Sequence, residues 1–409
     1  MKNLVFYKYA PNNIDKLEFD DFHLDSIHQP EREFFKARKE YFYSFLESSY
    51  NIISSEKNVA ELDKFILIVG FDDSFKQLFH LPKLKDFTDL ILDNRFKIEK
   101  IIFWEMDTDW TNYTYHEYYE NKEEFDKFFE YIEIPYKIFS TVLKFKYDES
   151  IGYFAAQNAM TIEKLDGELL KNDYFEANHF NPKSKYFYSA ANSINTDRLH
   201  YYKFIDDNNL WDKNNLSFFS TYKNNELGNG FNYSTIVYDY NRGKGGLIEI
   251  DDSFIFKPKP FEDEKFKTME YSLLTNQSRY TDSLFEMIFE TMYEACENQI
   301  IQTSEKLLKP FIQQKPFLTF SYINILSELK NLGFKTFDFI FSEDYDNISD
   351  HTTRLYYVLD EYKTICERDI NELHNIVKEN YDIMEHNYKN IKRLLLKFKS
   401  DFIKEIENE

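Results

Sequence analysis

An α/β fold with a mainly parallel sheet is what this sequence predicts, on three observations. Phe65-Ile-Leu-Ile-Val-Gly-Phe71 is continuously apolar, the mark of a strand buried on both faces, and Ile98 to Trp104 reads as a second strand of that kind. Segments with helical spacing alternate with these runs. Beyond Thr352 the chain reads as helix almost to its end.

Taken in order, Glu31 to Ser49 has helical spacing, with Phe34, Phe35, Ala37 and Tyr41 on or near one face. The strand from Phe65 stops at Asp72-Asp73-Ser74. Glu120 to Tyr131 is charged and aromatic at helical spacing, Pro135 interrupts, and Lys137 to Phe145 is a third strand. The polar, proline-containing stretch Asn178 to Lys185 marks a boundary. Next come a strand (Tyr186 to Ala191) and a helix (Thr196 to Asn208), with Thr196 or Asp197 near its start. Asn224 to Gly246, rich in Asn and Gly, reads as loop, and Ser283 to Ala295 as strand or helix. Glu305 to Phe311 opens a helix, Pro316 to Phe320 is a short strand, and Ile323 to Leu332 is a helix stopped by Gly333. In the tail, Leu355, Leu359, Tyr362, Cys366 and Ile370 recur at spacings of three and four. The expected division is an N-terminal α/β domain (1–180), a second α/β domain (181–350) and a helical tail (351–409). That tail either packs back on the N-terminal domain or mediates self-association into a homo-oligomer.

Composition narrows the function classes. Across 409 residues, 72 acidic side chains against 50 basic give a net charge of −22, which disfavours a nucleic-acid partner. Cys296 and Cys366 are too few for a disulfide framework or a structural zinc site, so a reducing, cytoplasmic setting is expected. No apolar segment approaches the roughly twenty residues of a membrane span, and none near Met1 has a signal-peptide core. With nine glycines the chain has no GxGxxG and no GxxxxGK[ST]; HExxH and GxSxG are also absent.

Two segments remain as candidates for chemistry. Asp107-Thr-Asp109 follows the second strand, where paired carboxylates hold a divalent metal against a diphosphate in metal-dependent, GT-A-type transferases. In a chain this rich in aspartate such triplets also arise by chance, and Asp344-Tyr-Asp346 is read as background. The second segment is Gln302 to Phe317. Ser304 can cap the helix that begins at Glu305, and the free N–H groups and partial positive charge of that terminus, with Lys306 and Lys309, suit a diphosphate. Glu305 can accept hydrogen bonds from ribose or sugar hydroxyls. An ordinary capped helix with surface lysines has the same residues.

Ser304-Glu-Lys306, then Lys309-Pro310 and Lys315-Pro-Phe317, resembles the Thr-Glu-Lys…Lys-Pro…Pro-Phe segment of phage and bacterial glycosyltransferase-like proteins related to the α-1,3-fucosyltransferases. The resemblance continues through Leu329 to Phe337, Ser342 to Asp346, Arg354 and Met384 to Tyr388. Upstream, Asn192, Asp197-Arg198 and Leu210-Trp-Asp-Lys213 are similar to the family's Asn-Arg…His-Arg…Leu-x-Asp-Lys pattern. It covers roughly residues 185 to 390. Ser304 replaces the family's Thr, Ser193 its Arg, and Asp197 its His.

The resemblance implies two Rossmann-like domains of GT-B type with the helical tail. It implies transfer of a sugar from a nucleotide-sugar to a glycan or other hydroxyl acceptor, inverting and without a metal cofactor. By position it assigns Asn192, Arg198, Glu290, Ser304, Glu305, Lys306 and Lys309 to the donor. An inverting transfer needs a carboxylate base, and ligands of open α/β sheets bind beyond the carboxyl ends of strands. Asp72, Asp73 and Asp107 stand at such ends, as does Glu105. Two alternatives stay open: a non-catalytic sugar-binding or structural protein on the same fold, and a GT-A enzyme using Asp107 and Asp109. Transfer to DNA is a further variant that the charge disfavours.

Overall fold

The computed structural model describes residues 2–9, 17–19, 46, 49–53, 59–73, 85–109, 115–140, 142–144, 151–152, 182–191, 196–218, 231–232, 255–256, 277–290, 301–302, 305–321 and 323–408. The chain is an α/β protein that divides into two compact units. Unit 1 comprises Met1–Thr161, Asn298–Gln302 and Leu394–Glu409; unit 2 comprises Ile162–Glu297 and Thr303–Arg393.

The main sheet of unit 1 is built from β1 (Asn3–Tyr9), β3 (Asn51–Ile53), β4 (Phe65–Asp73), β5 (Ile98–Asp109), β6 (Tyr136–Ser140) and β8 (Ile151–Gly152). They lie parallel in the order β3-β1-β4-β5-β6-β8; β2 (Leu17–Phe19) pairs antiparallel with the last residues of β1. The long apolar run of β4 has the expected cause. Phe65, Ile66, Leu67, Ile68 and Val69 are all buried, because both faces of the sheet are covered. Two helices, α1 (Lys85–Asp93) and α2 (Tyr115–Ile132), supply the aromatic cover around Phe103, whose ring lies 5.4 Å from Phe125 and 5.7 Å from Phe129. A separate cluster joins Leu4, Phe6, Ile66, Ile68, Ile102 and Phe139 to Phe398, Phe402 and Ile406 from the end of the chain.

Unit 2 has a four-stranded parallel sheet of β9 (Lys185–Ala191), β10 (Asn215–Phe218), β13 (Ser283–Phe289) and β15 (Phe317–Phe320), in the order β10-β9-β13-β15. The remaining strands form two small pairs. β11 (Phe231–Asn232) is antiparallel to β12 (Ile255–Phe256), and β7 (Val142–Lys144) to β14 (Ile301–Gln302), the latter pair within unit 1. The helices α3 (Thr196–Asp207) and α7 (His351–Glu367) cover one sheet face; Tyr362 stacks on Phe187 at 4.3 Å and Tyr201 packs on Phe289 at 4.9 Å. Side chains alternate along a strand, so Tyr188 and Glu286 face the other way. There they meet α5 (Glu305–Ile312) and Tyr280 of the short helix α4 (Gln277–Asp282). Next comes α6 (Ile325–Asn331), which ends at Gly333. Its φ of +88° is a left-handed value that glycine adopts freely, and an added Cβ would stand 3.2 Å from Asn390 Oδ1 and Arg393 Nη2.

The tail differs from the single continuous run expected. It consists of α7, α8 (Ile370–Glu379) and α9 (Tyr381–Glu407). Asp369 caps α8 through Asn371 N and Glu372 N, which ends the preceding helix. Nor is it a separate body: residues to Arg393 belong to unit 2, and Leu394–Glu409 to unit 1. The second part is pinned as well as packed. Lys100 Nζ donates to the carbonyl of Glu405 at 2.9 Å, and Lys2 Nζ to that of Ile406 at 2.9 Å. Apart from Leu46 and Ser49, the expected helix Glu31 to Ser49 lies outside the described residues, as does most of the loop Asn224 to Gly246.

Candidate functional site

Both parallel sheets share one winding. In each, the second strand lies on one side of the first and the third on the other. The direction in which strands are added to the sheet therefore reverses between β1 and β4 in unit 1 and between β9 and β13 in unit 2. Crevices at such reversals, at the carboxyl ends of the strands, are where open α/β sheets bind ligands.

In unit 2 that position holds a cluster of buried polar groups. After β9 the chain enters α3, whose first turn carries Asp197 and Arg198, 1% and 6% exposed. Arg198 Nη2 donates to the carbonyl of Phe289, the last residue of β13, at 3.1 Å. Glu290 follows at once; it is buried, and its N–H donates to the Phe320 carbonyl at the end of β15 at 3.1 Å. From α7, the Asp350 side chain caps the helix by accepting from Thr353 N at 2.7 Å. That places His351 at the helix start, its Nε2 3.1 Å from Asp197 Oδ1 and its ring 4.9 Å from that of Phe320. A carboxylate has no hydrogen to give, so Nε2 carries the proton. Arg354, one turn later, is almost wholly buried. It donates through Nε to the Ser321 carbonyl at 3.2 Å and through Nη1 to that of Ile348 at 2.5 Å. Ser321 Oγ is buried and has no hydrogen-bond partner among the described residues.

The residues predicted for the donor distribute unevenly. Arg198 and Glu290 come together at this strand end. Asn192 and Ser304 lie outside the described residues, and α5 begins at Glu305, whose side chain also lies outside them. Lys306 is half-buried on the first turn of α5. Lys309 is turned inward: its ammonium is 3.0 Å from Glu286 Oε1 and lies over the rings of Tyr188 (4.4 Å) and Tyr280 (4.5 Å). Both partners of that pair are more than nine-tenths buried, so this lysine serves the interior of unit 2 rather than a surface anion.

Two more lysines explain the chemistry around it. Lys315 Nζ donates to the carbonyls of Tyr280 and Ser283, and Lys183 Nζ to that of Thr281 at 2.6 Å. Together they satisfy carbonyls at the C-terminal end of α4, where the helix dipole favours cations. Burial pushes the Lys183 amine down to about 8, opposed by Asp282 and helped by Lys378. Burial also holds Lys315 well below the ordinary lysine range, with Lys183 adding repulsion.

In unit 1, Asp72 and Asp73 end β4, and Asp107 lies near the end of β5. Backbone register sets Asp73 opposite Asp109 and Phe71 opposite Glu105. The side chains of these acids lie outside the described residues. The second triplet is structural: the carboxylate of Asp346 accepts from Leu326 N at 3.0 Å and Ser327 N at 3.1 Å, capping α6. Burial nevertheless raises its pKa.

Sequence reasoning did not find His351 or Ser321 as site residues, and took Arg354 only as a motif match. A lone histidine carries no local signal; the Asp350 cap before it marks a helix start but not a site. Among the described residues no group of three or more His, Cys, Asp or Glu side chains is placed to hold a metal. Nor is any described helix long and apolar enough to cross a membrane. The chain matches no family model, no curated protein and no solved structure.

Proposed function

We propose that the protein is a glycosyltransferase of GT-B type that moves a sugar from a nucleotide-sugar to a hydroxyl acceptor, with the donor held by unit 2. The observation that carries this reading is the reversal point of the unit 2 sheet, where the first turn of α3 brings Arg198 to the carbonyl of Phe289, next to the buried Glu290, at the carboxyl ends of β13 and β15. The departing nucleoside diphosphate develops negative charge. A helix N-terminus and a guanidinium offset such charge without a metal. Lys306, on the first turn of α5, is the second cation assigned to it. Glu290 is the group suited to sugar or ribose hydroxyls. In unit 1 the acids ending β4 and β5, Asp72, Asp73 and Asp107, are the candidates for the base that takes the acceptor proton.

Calorimetric titration with GDP- and UDP-sugars, on the wild type and on Arg198→Ala and Lys306→Ala, tests the reading. Binding to the wild type that weakens at least tenfold in either variant supports it. No binding of any nucleotide-sugar defeats it.

A second reading, a non-catalytic binding protein on the same fold, draws on the inward engagement of Lys309 and on Arg198 bonding to a backbone carbonyl. Sugar transfer or donor hydrolysis by the purified protein eliminates it.

A further inference from the structure

Asp197 is an awkward neighbour for the proposed diphosphate site. It is 1% exposed, directly precedes Arg198, and sits on the first turn of the helix whose N-terminus is assigned to the anion. A buried carboxylate there is unfavourable, because it repels an incoming diphosphate across a short distance in a low dielectric. In the structure its partner among the described residues is His351, 154 positions along the chain, at 3.1 Å.

His351 is itself fixed. Its ring stands edge-on to Phe320 at 4.9 Å, and its Nδ1 faces Arg354 Nη2 at 3.5 Å. Arg354 in turn is locked by the Ser321 and Ile348 carbonyls. The buried Ser321 hydroxyl, without a partner among the described residues, lies at the same strand end. The imidazole is therefore held where it can take the Asp197 carboxylate.

We infer that His351 is a positioning residue for the diphosphate site: by binding Asp197 it holds that carboxylate and offsets its charge, which lets the first turn of α3 accept an anion. The inference rests on the reading that this turn holds the donor diphosphate. It extends that reading by assigning control of the site to a residue of α7.

Inorganic pyrophosphate and GDP are the probes, titrated calorimetrically at one pH and low ionic strength, where screening is weak. Removing the imidazole with His351→Leu leaves the Asp197 carboxylate without that partner on the first turn of α3 and weakens binding tenfold or more. Adding Asp197→Asn to that variant removes the offending charge and restores affinity to within about threefold of wild type. A residue with a purely structural role would not be rescued this way. If His351→Leu does not fold, Asp197→Asn alone decides: its affinity equals or exceeds that of the wild type, and a tenfold loss overturns the inference. Unchanged binding in His351→Leu, or no recovery in the double variant, overturns it while leaving the donor-site reading intact. Failure of the wild type to bind either probe removes the donor site, and this inference with it.

Discussion

Replacing Phe402 by alanine tests how the end of the chain completes unit 1. The ring is fully buried, 4.8 Å from Phe139 and 6.0 Å from Phe398, in the cluster that includes Leu4, Phe6, Ile66 and Ile68. Truncating a buried phenylalanine costs about 3–5 kcal/mol through lost transfer energy and the cavity left behind. For a unit of this size each kcal/mol moves the midpoint by roughly 2–4 °C, so the melting of unit 1 is expected to fall by about 10 °C. Leu396 provides the control, since it is on the same helix and 66% exposed; its alanine variant is expected to stay within about 0.5 kcal/mol of wild type. Urea unfolding gives the energies, and hydrogen exchange followed by mass spectrometry says where they act. Faster exchange is expected in β1, β4, β5 and β6. A loss below about 1 kcal/mol, an equal loss in Leu396→Ala, or exchange changes confined to unit 2 would refute the packing described.

Three other outcomes follow from the interior of unit 2. Lys309→Met leaves Glu286 buried with Tyr280 as its remaining described partner and should cost about 3–5 kcal/mol in urea unfolding, whereas the double change with Glu286→Leu should recover most of it. The Lys183 amine, at about 8 when folded and near 10.5 otherwise, binds its proton less tightly in the native state. Its penalty is therefore complete below about pH 8 and is relieved as the pH rises towards 10.5, so native stability rises across that interval. Relative to Lys183→Met, thermal unfolding should show a gain of about 1–2 kcal/mol between pH 8 and 10, less than the full shift implies because the amine is not sealed from solvent; a flat difference would contradict the burial. The Cys366 thiol, pushed up to about 12 by burial, carries almost no thiolate at pH 8, although its hydrogen bond with Asn214 opposes the shift. In a Cys296→Ser background, a disulfide reagent should label it only after urea is added.

What the sequence discloses here follows from how far apart the deciding residues lie. The strand from Phe65 was legible because burial on both faces removes alternation and leaves an apolar run. At the edge of unit 2, β10 is only Asn215–Phe218, too short and too mixed to stand out. The helix from Glu305 was legible from its spacing, but the direction of Lys309 was not: every residue from Leu307 to Ile312 is buried, and the carboxylate that accepts this lysine lies 23 positions upstream in an apolar strand. The site divides in the same way. Arg198 and Glu290 were named from short motifs, whereas the pairing of Asp197 with His351 spans 154 positions and leaves no local trace.

The interrupted make-up of unit 1 has a consequence for synthesis. Its strands β1, β4, β5 and β6 are translated first, but Phe398, Phe402 and Ile406, which cover Ile66, Ile68 and Phe139, are translated only after all of unit 2. Until they are made, that apolar face of the sheet lacks these side chains, the condition in which chains aggregate or recruit chaperones. Unit 2 thus has all its residues before unit 1, which holds β1, can close.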